Sequence, residues 1–153
     1  MKTRGTHCQC VRCREVRGKT VEAESLRLDD LTYQAGTAEE HFISFVTPED
    51  GLAGFIRLSL PSKNATLTGM SDLDNAALIR EVHVYGQSLE VGSEKTGAAQ
   101  HAGLGTRMLE EAENVARAQG FSRMAVISAI GTRHYYLDRG FERGDYYLVK
   151  KIG

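Results

Sequence analysis

The sequence predicts an α+β fold in which helices pack on one mixed, mostly antiparallel sheet. Strand-like apolar runs fill the first half of the chain, one long amphipathic helix follows, and short strands alternate with a short helix after it. With 153 residues, 41% of them hydrophobic and 25% charged, the chain is long enough to bury the core of one globular domain. It contains no run of about eighteen apolar residues, so a membrane span is not expected.

The first strands are predicted from apolar runs that turn residues separate. Residues 25–33 alternate roughly in polarity, and the runs at 39–46 and 52–60 flank the turn sequence T-P-E-D-G at 47–51. The two flanking runs should therefore form an antiparallel hairpin. Polar residues at 61–75 predict an irregular loop.

The second half of the chain begins with a predicted strand at 76–84 and a polar, glycine-bearing loop at 85–99. A helix is predicted from Leu104 to Gln119, because apolar residues recur on one face and charged residues on the other. Gly120 is a natural stop for this helix. The remaining predicted elements are strands at 124–128 and 141–149 and a short helix at 132–138.

The first twenty residues form a basic arm, although the formal net charge of the whole chain is −1. Its only acidic residue before position 20 is Glu15, and its basic residues are Lys2, Arg4, Arg12, Arg14, Arg17 and Lys19. Such an arm is suited to contact RNA. A solvated tail has the same charge pattern, and the sequence alone leaves both interpretations open.

All three cysteines lie in this arm, as Cys8-x-Cys10-x-x-Cys13. An odd count at such tight spacing indicates a reduced, cytoplasmic protein rather than a disulfide framework. Three thiolates suit a structural, tetrahedral zinc ion that lacks one ligand, which His7 or a histidine brought in by the fold would supply. Free thiols are the alternative. An iron–sulfur cluster would need a further ligand and is not expected in this chain.

A glycine-containing segment, Q-H-A-G-L-G-T at 100–106, lies between the predicted strand and the predicted helix. This order presents backbone N–H groups to a phosphate at a helix start, where glycines allow close approach. A tight turn without a ligand would use the same glycines. The chain has no G-x-x-x-x-G-K-[ST] motif and no dinucleotide fingerprint. The remaining pattern, Q-x-x-G-x-G, resembles the pyrophosphate loop of the GNAT acetyltransferases, [RQ]-x-x-G-x-[GA].

Longer segments resemble one branch of that superfamily. They are A-L-I-R-E-V-H-V-Y-G at 77–86, Q-H-A-G-L-G-T-R-M-L-E-E-A-E at 100–113 and A-V-I-S-A-I-G-T-R-H-Y-Y-L-D-R-G-F at 125–141. With C-x-C-x-x-C-R-E-V in the arm, they are similar to the acetyltransferase domain of the Elongator catalytic subunit and its preceding zinc segment. The resemblance implies a GNAT fold at 21–153 after a zinc arm at 1–20. It also implies acetyl-CoA binding, thioester cleavage and contact with tRNA, whose wobble uridine is modified.

The full-length members of this family also carry a radical-SAM domain, and these 153 residues contain no such domain. The chain alone is therefore not expected to perform the radical carbon–carbon step. It is either an excised domain or a short relative that works with a radical-SAM partner.

The resemblance also assigns cofactor contacts. Strand main chain would hydrogen-bond the pantetheine arm, and loop amides would hold the pyrophosphate. Gln100 occupies the place that arginine often holds, so binding should depend more on the main chain. The implied contacts are Val82, His83 and Val84 on the strand, Gln100, Gly103, Leu104, Gly105 and Thr106 in the loop, and Tyr136 beyond them.

The catalytic assignments follow from the same resemblance. Tyr136 precedes Gly140-Phe141 by four residues, as the tyrosine that protonates the leaving CoA thiolate does, although its neighbour Tyr135 is an alternative. Glu81 is the candidate base or water-orienting carboxylate, or else a paired structural carboxylate. His83 is the fourth zinc ligand or a core histidine. Strand alternation places Glu81 and His83 on one face unless a bulge intervenes.

No cysteine lies near the thioester motifs, so direct transfer or hydrolysis is expected rather than an acetyl-cysteine intermediate. Two other functions fit the sequence. One is an acetyltransferase acting on lysine or small amines, by fold analogy alone. The other is a non-catalytic zinc-bearing RNA adaptor, whose binding would be salt-sensitive and would depend on Arg12, Arg14 and Arg17.

Overall fold

The computed structural model describes residues 5–17, 21, 23–62, 68–85 and 96–153, with the backbone alone at 23 and 96–102. Its main helices are α1 (Val11–Arg14), α2 (Thr96–Ala118) and α3 (Arg133–Leu137). Its strands are β1 (Arg27–Ala35), β2 (Ala38–Val46), β3 (Leu52–Pro61), β4 (Ala76–Val84), β5 (Arg123–Val126), β6 (Glu142–Arg143) and β7 (Leu148–Lys151). In the described part of the chain, no helix is long and apolar enough to cross a membrane.

The seven strands form one sheet in the order β1-β2-β3-β4-β5-β7-β6. All neighbouring pairs are antiparallel except β4 and β5, which are parallel. The predicted mixed, mostly antiparallel α+β fold is therefore confirmed. The predicted hairpin is confirmed as well: Thr47 N–H donates to the Gly51 carbonyl (2.8 Å), and Asp50 takes the positive φ of 66° that closes the turn.

The predicted closing strand at 141–149 is wrong as a single element, because it is divided into β6 and β7. A turn separates them, in which Gly144 N–H donates to the Tyr147 carbonyl (2.8 Å). The buried carboxylate of Asp72 accepts the N–H groups of Tyr146 and Tyr147 at 2.7 and 3.1 Å. These bonds hold the backbone in the turn and lower the pKa of Asp72.

α2 covers one face of the sheet. Its apolar residues are buried against inward-facing side chains of β2 to β5, such as Ile43, Ile56 and Met124. Each buried aliphatic side chain contributes roughly 1.5–3 kcal/mol. The predicted amphipathic face is thus confirmed, and its buried members are Leu104, Met108, Leu109, Ala112 and Ala116.

The start of α2 corrects the sequence prediction. The helix begins at Thr96 instead of Leu104, so the segments predicted as loop are helical from Thr96 onward. Alanines at 98, 99 and 102 have the highest helix propensity and favour the helix here, although each glycine in this stretch costs about 1 kcal/mol. The rest of the predicted loop, 86–95, lies outside the described residues, as does 63–67 in the earlier loop.

The N-terminal arm is attached to the β2–β3 turn. Val16 is buried, its N–H donates to the Leu52 carbonyl (3.1 Å), and Arg14 pairs with Asp50 at 2.9 Å. Arg17 pairs with Glu15 at 2.6 Å, so two of the arm's predicted RNA-binding cations have carboxylate partners. The basic residues at 2, 4 and 19 and the predicted boundary at residue 20 lie outside the described residues.

Candidate active site

A β-bulge in β4 shifts the register between β3 and β4. Leu58 of β3 pairs with Ile79, but the adjacent Arg57 pairs with Glu81, which leaves Arg80 as the extra residue. Ile79 lies on the face covered by α2. Without the bulge Glu81 would lie on that face too, whereas the bulge moves it to the opposite face.

Beyond the bulge, β4 separates from β5. The two strands pair only from Ala76–Arg123 to Ile79–Val126, after which β5 ends. Within the described residues, β4 from 80 to 84 pairs with β3 on one side and with no strand on the other. On this free edge the backbone groups of Val82 and Val84 can donate and accept hydrogen bonds. Tyr85 N–H donates to the Ala53 carbonyl (2.9 Å), so strand alternation directs the backbone groups of His83 to Phe55 of β3.

Glu81 lies beside this gap and is partly exposed. Its two carboxylate oxygens lie 2.7 Å from His83 Nε2 and 3.5 Å from Arg57 Nη1. The sequence prediction that Glu81 and His83 share a face is confirmed. A carboxylate held by an imidazole and a guanidinium is fixed in orientation, yet it remains accessible to a water molecule or an acceptor.

His83 is not brought to the cysteines. Its ring stacks on Phe55 at 5.2 Å and on Tyr85 at 6.0 Å, between centroids. Among the described residues, the group of metal-ligating atoms within 4.8 Å of one another consists of Cys8, Cys10 and Cys13, and His83 is not a member. In this arrangement the strand face of His83 directs its ring to these aromatic residues, and its role as a zinc ligand stays a prediction. His7 is not a member either.

The three cysteines are exposed and converge. A tetrahedral zinc ion with bonds of about 2.3 Å separates its sulfur ligands by roughly 3.8 Å, so three sulfur atoms within 4.8 Å fit such an ion with little movement. The Cys13 backbone N–H lowers the pKa of Cys10, and shared hydrogen bonding with Cys10 raises the pKa of Cys13 to about 11. The cluster can therefore offer three thiolate ligands to a metal ion.

Tyr136 and Tyr135 of α3 have different environments. Tyr136 is only 7% exposed and packs edge-on against Phe141, with centroids 5.5 Å apart. Burial raises the pKa of Tyr136, and it also raises the pKa of Tyr135, where the charge of Arg139 opposes it. Both phenols therefore hold their protons at neutral pH, as a proton donor requires.

The Tyr135 hydroxyl lies against the N-terminal part of α2. A Cβ added at Gly105 would collide with this hydroxyl and would lie 3.7 Å from Val84 Cγ2. Gly105, Val84 and the Tyr135 hydroxyl therefore meet at the far end of the free β4 edge. Val84 is five residues beyond Ile79, so this point is roughly 16 Å from the place where the strands separate.

Arg139, which the sequence analysis missed, completes this contact. Its guanidinium carbon lies 3.5 Å from the centroid of the Tyr135 ring, its Nη1 donates to the Tyr135 carbonyl (2.8 Å), and its Nε donates to Thr106 Oγ1 (3.0 Å). In the sequence, Arg139 is marked only by its position just before Gly140-Phe141, and none of the motifs described above gives that position a function.

The predicted pyrophosphate segment is helical. Gly103 has open space where a Cβ would be, Leu104 is buried, Gly105 is covered by Tyr135, and Thr106 binds Arg139. In a helix that begins at Thr96, the N–H groups at 103–106 donate to carbonyls four residues earlier. The prediction of a loop with free amides is wrong for this conformation. Gln100 is helical in its backbone, and its side chain lies outside the described atoms.

A cavity of about 310 Å³ lies elsewhere, at the β5–β7–β6 edge of the sheet. Charged side chains dominate its lining, and Asp72 and Arg123, which it includes, are already bonded to backbone groups. The cavity shares no residue with the β4 gap and is not part of the candidate active site.

Known proteins share both sequence and fold with this chain. The sequence profile of the acetyltransferase (GNAT) family matches residues 11–141. The tRNA uridine(34) acetyltransferase of Dehalococcoides mccartyi (strain CBDB1) is 36% identical over 158 residues, covering 99% of this chain and 34% of that protein. The Elongator complex protein 3 of Dictyostelium discoideum is 37% identical over 162 residues, covering 100% of this chain and 28% of that protein.

Solved structures agree with the sequence comparisons. An N-terminally truncated Elp3 of the archaeon Methanocaldococcus infernus superposes with a TM-score of 0.76 at 32% identity, over 94% of this chain and 35% of that one. An acyl-CoA N-acyltransferase fold from Klebsiella pneumoniae, at 12% identity and a TM-score of 0.57, shares the fold alone. The chain spans about a third of the length of the curated relatives it matches. Because the profile covers most of the chain and the fold agrees with it, the chain belongs to the acetyltransferase (GNAT) family.

Proposed function

We propose that this chain is the acetyl-CoA-binding and acetyl-CoA-cleaving domain of an Elongator-type enzyme that modifies the wobble uridine of tRNA. The observation that carries the proposal is the free backbone edge of β4 beyond its bulge, in a chain whose relatives are tRNA uridine(34) acetyltransferases and Elongator proteins. The remaining two thirds of those relatives would supply the radical chemistry, as a further domain or a partner subunit.

The pantetheine arm would lie in the gap between β4 and β5 and extend that edge of the sheet. Backbone groups of Val82 and Val84, which face away from β3, would hydrogen-bond its amides, with the thioester near the point where the two strands separate. The phosphates would then lie toward Val84 and the N-terminal part of α2. In this orientation the Tyr135 hydroxyl, beside Gly105 and Val84, lies at the phosphate end.

In the reaction, water or an acceptor attacks the thioester carbonyl and loses its proton to Glu81, directly or through a water molecule. The C–S bond then breaks, and the departing thiolate takes the phenolic proton of Tyr136. Glu81 lies on the face opposite α2, whereas Tyr136 belongs to the core between the sheet and α2, so the two groups can act from opposite sides. Tyr135, whose ring lies 5.2 Å from that of Tyr136, is the alternative acid, and we rank it second because its hydroxyl is directed to Gly105.

The amides of Gly103, Leu104, Gly105 and Thr106 would bind the pyrophosphate, with favourable helix-dipole electrostatics. Inside α2 those amides donate hydrogen bonds to carbonyls of the helix itself. Pyrophosphate binding therefore requires the residues before Gly103 to leave the helix, so that α2 begins near Leu104. Gly97 and Gly103 lower the cost of this unwinding.

A zinc ion would be held by Cys8, Cys10 and Cys13, with a fourth ligand from outside the described residues or from a partner. It would order the arm and place Arg12 beside the domain. The arm would thereby contribute to tRNA binding in the reduced compartment that three free thiols indicate.

The test is acetyl-CoA hydrolysis by the full chain, measured with and without tRNA and followed as free thiol. The proposal expects measurable hydrolysis that tRNA stimulates. Label transfer to tRNA, lysine peptides and polyamines, assayed in parallel, identifies the acceptor. Preferred transfer to amines would favour a general acetyltransferase, and tRNA binding without any thioester cleavage would favour an RNA adaptor.

A further inference from the structure

The described part of the predicted pyrophosphate segment, residues 103–106, has no charged side chain for the phosphates of coenzyme A. These groups carry several negative charges, and the position where related motifs often have arginine is Gln100, which is neutral. Main-chain amides supply partial charges only. A full positive charge near the N-terminal part of α2 would therefore strengthen binding considerably.

Arg139 is placed to supply that charge. It follows α3, where its own N–H caps the Tyr136 carbonyl (3.0 Å), and its side chain extends across the Tyr135 ring to α2. Its Nε bond to Thr106 brings the guanidinium to the segment whose amides would bind the pyrophosphate. These three contacts thus fix the position of the Arg139 guanidinium.

The guanidinium also keeps donors available. Arginine has five N–H groups in one plane. Two of them are used, by Thr106 Oγ1 and by the Tyr135 carbonyl, and no other bond from Arg139 to a described residue is present. The remaining N–H groups of the guanidinium can therefore make a planar, two-bond contact with a phosphate, which arginine makes better than lysine.

The distance along β4 agrees with this role. Tyr135 and Arg139 meet α2 beside Val84, roughly 16 Å beyond the splay point. An extended pantetheine arm that begins with its thioester at the splay point reaches the Val84 end with its phosphates. A group that touches this end is placed for the phosphates and is distant from the thioester.

We propose that Arg139 is a cofactor-binding residue that contacts the phosphates of coenzyme A and supplies the positive charge that Gln100 lacks. Its stacking on Tyr135 and its bond to Thr106 hold the guanidinium in place before the cofactor arrives. The inference rests on the proposed function, because it requires the coenzyme to lie along β4.

The experiment compares the affinities of the full chain and its Arg139→Met and Arg139→Lys variants for coenzyme A and for pantetheine, which has no phosphates. Calorimetry serves for coenzyme A and competition for pantetheine. Arg139→Met should weaken coenzyme A binding about tenfold or more, as expected for loss of a charge-assisted hydrogen bond, and leave pantetheine binding unchanged. The coenzyme A affinity of Arg139→Lys should lie between those of the unmodified chain and Arg139→Met. The affinity of Arg139→Met should also depend less on salt concentration.

Arg143→Met is the matched control, because Arg143 is an exposed arginine on β6 at the edge of the sheet, and its affinity should equal that of the unmodified chain. If Arg139→Met loses affinity equally for coenzyme A and for pantetheine, Arg139 only joins α3 to α2, and the inference is overturned. Unchanged affinity of Arg139→Met for both ligands would also overturn it. If Arg139→Met does not fold, Arg139→Lys provides the test. Unchanged coenzyme A affinity and unchanged salt dependence in Arg139→Lys would overturn the proposed two-bond contact between the guanidinium and a phosphate. An unmodified chain that binds no coenzyme A at all would overturn the proposed function together with the inference.

Discussion

At the residue scale, the two adjacent tyrosines should have separable effects. Tyr136→Phe removes the proposed proton donor but keeps the ring that packs on Phe141, so thioester turnover should fall by about 100-fold or more with little change in KM. Tyr135→Phe should keep most of the turnover. Initial rates of thiol release over a range of acetyl-CoA concentrations measure both parameters. Full activity in Tyr136→Phe would remove this residue from its proposed role.

A second residue-scale prediction concerns His41, which is buried between two carboxylates. Its Nδ1 lies 2.8 Å from Asp30 and its Nε2 lies 2.9 Å from Glu39. Burial opposes protonation, but these hydrogen bonds outweigh it and raise the pKa of His41 above 6.5. The stabilisation from charged His41 is therefore complete below pH 6.5 and is lost as the pH rises through the folded-state pKa.

Urea denaturation at several pH values from 5 to 9 tests this linkage. The free energy of unfolding should decrease with rising pH in the unmodified chain more steeply than in Asp30→Asn, in which one carboxylate partner is lost. Parallel pH profiles for the two proteins would show that the His41–Asp30 contact does not contribute.

Local sequence patterns predicted some site residues and not others. The spacing of the cysteines indicated that their thiols converge, and they do, because all three lie within six consecutive positions. The stacking of His83 on Phe55 and Tyr85 was not predicted, because the partner of a strand residue depends on its face and on neighbouring strands. Arg139 was missed for a related reason: its contacts with Thr106 join residues far apart in the chain. Such pairings are fixed by tertiary packing, which residue spacing does not encode.

At the scale of elements, strand and helix existence could be predicted better than their ends. β4 was predicted with its bounds, but its bulge depends on the register with β3 and leaves no mark in the sequence of β4. The start of α2 was predicted from glycines at 103 and 105, whereas the alanines before them extend the helix. Each boundary is a balance of about 1 kcal/mol, which neighbouring contacts or a ligand can reverse.

This balance yields a prediction at Gly103. A Cβ there meets no atom within 4 Å, so Gly103→Ala should stabilise the fold by about 0.5–1 kcal/mol through helix propensity. If coenzyme A binding requires the residues before Gly103 to leave the helix, the same change should weaken coenzyme A affinity severalfold. Urea denaturation and calorimetry measure the two effects. Greater stability with unchanged affinity would show that the coenzyme binds to α2 without unwinding it.

At the scale of the whole molecule, the arm and the sheet should depend on each other only weakly. The cysteines are exposed, whereas the core lies between the sheet and α2 and includes Val16 as its contact with the arm. Cys10→Ser should therefore abolish zinc binding, measured by metal analysis after purification, and lower the melting temperature by only a few degrees. The Cys10→Ser variant should still cleave acetyl-CoA without tRNA. Loss of the folded sheet on zinc removal would show that the arm stabilises the whole chain.

The arm's contribution to tRNA binding can be assigned to particular arginines. Arg14 is paired with Asp50 and Arg17 with Glu15, whereas Arg12 is exposed and carries its charge toward solvent. Each phosphate contact adds about 0.7–0.9 to the slope of log affinity against log salt concentration. Arg12→Ala should therefore reduce this slope for tRNA by nearly one unit and also reduce the tRNA stimulation of acetyl-CoA hydrolysis. Arg17→Ala, as the control on the same arm, should have a smaller effect, because Glu15 already offsets its charge. Equal slopes for all three proteins would place the tRNA-binding surface outside the arm, whether on the domain itself or on a radical-SAM partner.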